Sequence, residues 1–137
     1  MPTDASFIAV VDDEESVLKA LERLLRAEGF SVQTYSSGAD FLRSMQRQRP
    51  ICVVLDLHMP HLSGFQVQQA LRQFDAGVPV VIITGDDAPE SRDRALSQGA
   101  KAFLRKPVDD AILLDAIHDA IRDSRPSPGD SHAAPTA

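Results

Sequence analysis

Short apolar runs recur along the chain, and stretches with helical spacing lie between them. Four of the runs are nearly continuous, which is typical of strands buried on both faces of a parallel sheet. The second run is interrupted by polar residues, as expected of a strand at the edge of the sheet. The predicted strands cover residues 7–11, 32–35, 51–55, 80–83 and 102–104.

Apolar residues three or four positions apart predict an amphipathic helix after most of these strands. The first such stripe ends before Gly29, a residue type that favours the left-handed conformation at a helix C-terminus. The stretch 88–98 differs, because its apolar residues are little more than Ala95 and Leu96 among charged side chains. It predicts a mostly solvated helix. Five strand–helix units predict an α/β fold, in which right-handed crossovers place helices on both faces of a five-stranded parallel sheet.

Composition narrows the class of protein. The 137 residues suit one domain, and 43% hydrophobic residues exclude a wholly disordered chain. A net charge of −6 argues against direct binding of nucleic acid, and no apolar run approaches the length of a membrane-spanning helix. The single cysteine, Cys52, is interpreted as a small buried apolar residue. With no internal disulfide and no visible secretory signal, we expect the cytoplasm.

The composition changes near the end of the chain. Residues 124–137 are rich in Pro and Ser and contain no large apolar side chain. Such a stretch has nothing to bury, so it predicts a disordered tail or a linker. The folded domain is expected to cover residues 1–123.

Polar residues follow the predicted strands at the edge where parallel sheets bind ligands. They are Asp12 and Asp13 after the first strand, Asp56 after the third, Thr84 after the fourth and Lys106 after the fifth. Taken singly, each has a structural explanation as a helix cap, a turn residue or a solvated charge. Together, three carboxylates repel one another by about 1 kcal/mol or more per pair, which favours a bound cation. Ligands that are all oxygen favour Mg²⁺.

A carboxylate beside Mg²⁺ and an ammonium group can attack a phosphoryl group and form an acyl phosphate. Asp56 is the expected nucleophile, because it stands alone at the end of a central apolar run. The metal and Lys106 would neutralise charge on the phosphoryl oxygens, and Thr84 would donate its hydroxyl to one of them. The sequence therefore predicts phosphorylation of Asp56.

Four ordered segments support a family assignment: 11–14 (Val-Asp-Asp-Glu), 54–64 (with D-x-x-M-P-x-x-x-G spacing), 83–85 (Ile-Thr-Gly) and 99–107 (ending in Lys-Pro). From about residue 7 to residue 121, the chain resembles the receiver domain of two-component response regulators. Residues 82–121 look most like receivers of the nitrogen-fixation or LuxR type, which precede a helix-turn-helix effector. The resemblance implies a flavodoxin-like, doubly wound sheet of order 2-1-3-4-5.

The resemblance also implies site residues and a phosphodonor. Mg²⁺ would be bound by Asp12, Asp13, Asp56 and the backbone carbonyl of His58, and the peptide bond before Pro107 would be cis. A sensor histidine kinase would donate the phosphoryl group. The domain would catalyse only its own phosphorylation and dephosphorylation, so it is not expected to be a conventional enzyme.

Signalling in the resembled family couples Thr84 to the aromatic position occupied by Phe103. The surface of the fourth helix, fifth strand and fifth helix would then change and control a downstream protein or a C-terminal effector. A phosphorylation-dependent homodimer through the same surface is a further expectation. Phe103 has the alternative interpretation of a plain core residue. His58 and Asp86 are expected to tune hydrolysis of the phosphoryl group, in a direction the sequence leaves open.

Two other classes of function remain as alternatives. A haloacid-dehalogenase-like phosphatase also uses an aspartate nucleophile and Mg²⁺, but it generally has a second aspartate where this chain has His58. A receiver-like binding module that never accepts phosphate would most often lack one of Asp56, Thr84 and Lys106. A zinc site at His58 and His61 lacks the further ligands that zinc requires.

Overall fold

The computed structural model describes residues 6–124, which form a five-stranded parallel sheet with helices on both faces. Strand order is β2-β1-β3-β4-β5, so the predicted α/β fold and its order are confirmed. The strands are β1 (Phe7–Val11), β2 (Ser31–Tyr35), β3 (Cys52–Asp56), β4 (Val80–Thr84) and β5 (Ala102–Arg105). The helices are α1 (Glu15–Ala27), α2 (Gly38–Ser44), α3 (Gly64–Asp75), α4 (Pro89–Ser97) and α5 (Asp110–Ser124).

The core has two layers, because alternate residues of each strand point to opposite faces of the sheet. Leu55 and Ile82 pack with residues of α2, α3 and α4 on one face. Val54 and Ile83 pack with residues of α1 and α5 on the other. β1, β3 and β4 are buried along their whole length, which explains their continuous apolar runs. β2 lies at the edge, where only Val32 is buried.

Helix α4 is attached mainly by polar contacts. Its single buried residue is Ala95, and Leu96 lies at the surface. The buried side chain of Gln68, on α3, donates a hydrogen bond from Nε2 to the Ala95 carbonyl at 3.0 Å. The guanidinium carbon of Arg94 lies 4.1 Å from the centre of the Phe65 ring, a cation–π contact. The prediction of a mostly solvated fourth helix is confirmed.

The ends of the helices follow local rules. Gly29, just after α1, has a φ of 95°, which confirms the predicted left-handed C-terminus. Helix α3 starts with a capping box, in which the side chains of Ser63 and Gln66 each accept from the other's backbone N–H. Helix α5 ends at Ser124, one residue beyond the predicted end of the folded domain at residue 123. The rest of the predicted tail, from residue 125, lies outside the described residues, as do residues 1–5.

Between residues 6 and 124, no helix combines the length and the apolar character needed to cross a bilayer.

Candidate functional site

The polar residues predicted to converge do so at the carboxyl edge of the sheet. Asp12 follows β1, Asp56 and Thr84 end β3 and β4, and Lys106 follows β5. Asp56, Thr84 and Lys106 line a cavity of about 460 Å³ together with Asp13. Residues separated by more than ninety positions in the sequence therefore form one site.

Three carboxylates are close enough to share an ion. Asp12, Asp13 and Asp56 each offer one oxygen, and these oxygens lie within 4.8 Å of one another. The Oδ2 atom of Asp12 is fully buried and has Lys106 Nζ at 2.8 Å, but it receives no well-aligned hydrogen bond. Buried polar atoms nearly always have a hydrogen-bond or ionic partner, and a positive charge is the partner of Asp12 Oδ2. A group of three carboxylates that offers only oxygen ligands fits a hard cation such as Mg²⁺.

The environment of Asp56 makes ionisation of its carboxyl group unfavourable. Burial raises its pKa from 3.8 to about 6, and the negative charge of Asp12 adds to that rise. The charge of Lys106 lowers the pKa but does not cancel the effect of burial. At neutral pH Asp56 is still mostly a carboxylate, so it can act as a nucleophile. A cation bound nearby would relieve its unfavourable charge.

Lys106 supplies the positive charge of the site. Its Nζ lies 2.8 Å from Asp12 Oδ2, 3.0 Å from Glu14 Oε1 and 3.8 Å from Asp56 Oδ2. Partial burial lowers the pKa of Lys106, whereas pairing with these carboxylates raises it. The pairing outweighs the burial, so the net shift of the pKa is upward. The side chain therefore stays protonated. The Lys106–Pro107 peptide bond is cis.

Gly64 allows α3 to begin directly against the end of β3. Its backbone N–H donates to the Leu57 carbonyl at 2.8 Å. A Cβ at this position would lie 2.3 Å from the Asp56 carbonyl oxygen and 2.7 Å from the Cα of Leu57. Any side chain would force this backbone apart, so glycine is required for the segment to hold Asp56 in place. This close approach explains sterically why the D-x-x-M-P-x-x-x-G segment ends in glycine.

Asp86 links the loop after β3 to the start of α4. Its Oδ2 lies 2.8 Å from His58 Nε2 and accepts a hydrogen bond from Ser91 Oγ at 2.6 Å. Its Oδ1 accepts from the Ala88 N–H at 2.8 Å, and its own N–H donates to Thr84 Oγ1 at 3.1 Å. The hydrogen bonds from Ser91, Ala88 and His58, in that order, lower the pKa of Asp86 to about 2. Asp86 is therefore an ionised acceptor that connects Thr84, His58 and α4.

The other residues singled out in the sequence lie outside the carboxylate group. Phe103 lies opposite Ile82 in the sheet and is partly buried against the core layer that contains α4. Cys52 is buried, and burial raises the pKa of its thiol to about 12. Across residues 6–124, the carboxylates described above are the one group of three or more metal-binding side chains in reach of one another. His58 and His61 belong to no such group.

Sequence reasoning missed several contacts. It included Glu14 as the end of the 11–14 segment, did not predict its pairing with Lys106, and did not consider Ser91. The fragment Asp-Glu-Glu gives no sign of which acid turns toward Lys106. The contact between Asp86 and Ser91 joins two side chains five positions apart and is not a helix cap, so no local pattern predicted it.

Residues 8–118 match the family model described as the response regulator receiver domain. The chain belongs to this family. The response regulator protein TodT of Pseudomonas putida is 36% identical to this receiver domain over 122 residues, which are 89% of this chain and 54% of TodT. The transcriptional regulatory protein PrrA of Mycobacterium tuberculosis is 41% identical over 115 residues, 84% of this chain and 49% of PrrA. The receiver domain thus spans about half the length of these curated relatives.

Solved structures agree with this assignment. The crystal structure of FixJ-N is 32% identical to this receiver domain, with a TM-score of 0.79, and the match covers 88% of this chain and 96% of that one. The predicted membership of the receiver family is therefore confirmed. Neither the phosphatase nor the non-phosphorylated binding module gains support from the comparisons.

Proposed function

We propose that this receiver domain is a cytoplasmic phosphoacceptor switch in which Asp56 takes a phosphoryl group from a sensor histidine kinase. The observation that carries the proposal is the position of Asp56. It is a buried carboxylate within a group of three, and a lysine ammonium lies 3.8 Å from its Oδ2. A buried nucleophile next to compensating positive charge suits the transfer of an anionic group.

The chemical step follows from these positions. An Asp56 carboxylate oxygen attacks phosphorus, forming a P–O bond as the P–N bond of the kinase phosphohistidine breaks, and the departing imidazole takes up a proton. Lys106 neutralises charge on the transferred group, and the Thr84 hydroxyl donates to one of its oxygens. The residues that would hold Mg²⁺ are Asp12, Asp13, Asp56 and the carbonyl of His58. The metal would stabilise negative charge on the phosphoryl oxygens.

We further propose that Asp86 carries the signal from Thr84 to α4. The Thr84 hydroxyl accepts the Asp86 N–H, so a reorientation of Thr84 toward a phosphoryl group would cost this bond. Asp86 also binds Ser91 on α4, a helix with little apolar attachment. With movement of Phe103, the surface of α4, β5 and α5 would change and control a downstream protein, an attached effector or a homodimer. His58 and Asp86 would set the rate of hydrolysis.

The proposal is tested by incubating the protein with acetyl phosphate and Mg²⁺ and measuring its intact mass. We expect addition of one phosphoryl group to the wild type and none to Asp56→Asn. Asp115→Asn is the matched control, because Asp115 is an exposed residue of α5 outside the cavity, and it should be labelled like the wild type. Equal labelling of Asp56→Asn would move the nucleophile elsewhere. Sustained turnover of an added phosphoester would instead revive the phosphatase alternative.

A further inference from the structure

Lys106 and a bound metal ion would share the same carboxylates. The ammonium lies 2.8 Å from Asp12 Oδ2 and 3.8 Å from Asp56 Oδ2. Both residues belong to the group that could hold an ion. Two cations on one pair of carboxylates repel each other, and partial burial strengthens that repulsion. A further partner that holds the ammonium to one side would lessen this repulsion.

Glu14 provides such a partner. Its Oε1 accepts a hydrogen bond from Lys106 Nζ at 3.0 Å, although its side chain is 59% exposed and lies outside the carboxylate group. The backbone at Glu14 is fixed, because its N–H donates to Asp12 Oδ1 at 2.9 Å and its carbonyl accepts the N–H groups of Val17 and Leu18 in α1. The same N–H engages Oδ1 of Asp12, so Oδ2 is the oxygen that faces cations, and here it lies 2.8 Å from the Lys106 ammonium.

We propose that Glu14 is a positioning residue that holds the Lys106 ammonium on the α1 side of the cavity. Asp12 and Asp56 can then bind Mg²⁺ while Lys106 stays charged beside the phosphorylation site. The inference rests on the proposed function, because it concerns the same metal-binding carboxylates. It adds a role for a residue that is neither a ligand nor the nucleophile.

A charge that merely attracts Mg²⁺ can be distinguished from one that positions Lys106. Fixed charges contribute additively to the free energy of Mg²⁺ binding. Removing an acid that only attracts Mg²⁺ therefore weakens binding by the same factor whether or not Lys106 is present. A residue that determines where the ammonium sits loses most of its effect when the ammonium is removed. The two cases therefore differ in the coupling measured by a double-mutant cycle.

The experiment is a calorimetric titration of the protein with MgCl₂, without a phosphodonor. The variants are Glu14→Gln, Lys106→Ala and their combination, each checked by its urea unfolding transition. We expect Glu14→Gln to weaken Mg²⁺ binding about fivefold or more when Lys106 is present, and less than about twofold in the Lys106→Ala background.

Glu15→Gln is the matched control, because Glu15 is the next acid along the chain, is exposed, and contacts Lys19 instead. It should have the same small effect in both backgrounds. Equal fold losses for Glu14→Gln in the two backgrounds would overturn the positioning role while leaving the metal site intact. Failure of the wild type to bind Mg²⁺ would overturn both this inference and the metal dependence of the proposed function.

Discussion

Replacing the Asp56 carboxylate with an amide should stabilise the fold at neutral pH. Burial and the charge of Asp12 raise the pKa of Asp56 from 3.8 to about 6. Each tenfold change in proton affinity is worth about 1.4 kcal/mol, so ionised Asp56 would cost the fold roughly 3 kcal/mol. Because Asp56 lines an open cavity, solvent screening reduces that cost to about 1–2 kcal/mol. Asp56→Asn removes the charge with little change of shape.

The size of the effect depends on pH. Below the unfolded pKa of 3.8, Asp56 is protonated in both the folded and unfolded states, so its ionisation costs the fold nothing. The cost grows between this value and about 6, and it is complete above that pH. The stability advantage of Asp56→Asn should therefore be near zero in acid and reach a plateau above the folded pKa.

The measurement is urea unfolding of the wild type and Asp56→Asn in chelator-containing buffers across this pH range. The m-values of the two proteins should agree, so that a shift in the unfolding midpoint reports a change in stability. Asp115→Asn, an exposed control, should change stability by less than about 0.5 kcal/mol. Added Mg²⁺ should reverse the order, because it stabilises the state that binds it, and the wild type retains all three carboxylates. A stability difference independent of pH, or a less stable Asp56→Asn in chelator, would refute the interpretation of Asp56 as an electrostatically strained residue.

Two further substitutions test how the site is supported. Gly64→Ala should lower the free energy of unfolding in urea by about 2 kcal/mol or more, because the new Cβ would lie 2.3 Å from a backbone oxygen. Gly85→Ala is the control and should be nearly neutral, since no heavy atom lies within 4 Å of its Cβ position. Similar losses for the two variants would contradict the close approach at Gly64. Gln68→Leu should speed hydrogen exchange of the α4 amides about fivefold, since it removes a buried hydrogen bond worth about 1 kcal/mol. Exposed Gln69→Leu on the same helix should leave that exchange unchanged, and an unchanged rate in Gln68→Leu would show that this bond does not anchor α4.

The fold could be predicted from the sequence because burial on both faces leaves a visible pattern. The apolar runs of β1, β3 and β4 appear as strands within one or two residues of their observed ends. The interrupted run of β2 indicated an edge strand, and the few apolar residues of α4 indicated a helix with little burial. Local composition determines each of these features, so no tertiary information was needed.

The site was predictable only in part. Strand order brings Asp12, Asp56, Thr84 and Lys106 to one edge, so their convergence follows from topology. The partners of Lys106 and the bond between His58 and Asp86 depend on side-chain directions across contacts of 92 and 28 residues in sequence. The hydrogen bond from Gln68 to α4 likewise depends on how two helices pack. No local pattern encodes those directions.

The way α4 is attached has a consequence for temperature. Exposing apolar surface raises heat capacity and exposing polar surface lowers it, so a displacement that breaks mostly hydrogen bonds and a cation–π contact has a small heat-capacity change. The enthalpy of such a displacement is then nearly constant, and its van 't Hoff plot is straight. In the proposed switch, the balance between positions of α4 would then shift smoothly with temperature, without the curvature that large hydrophobic burial imposes.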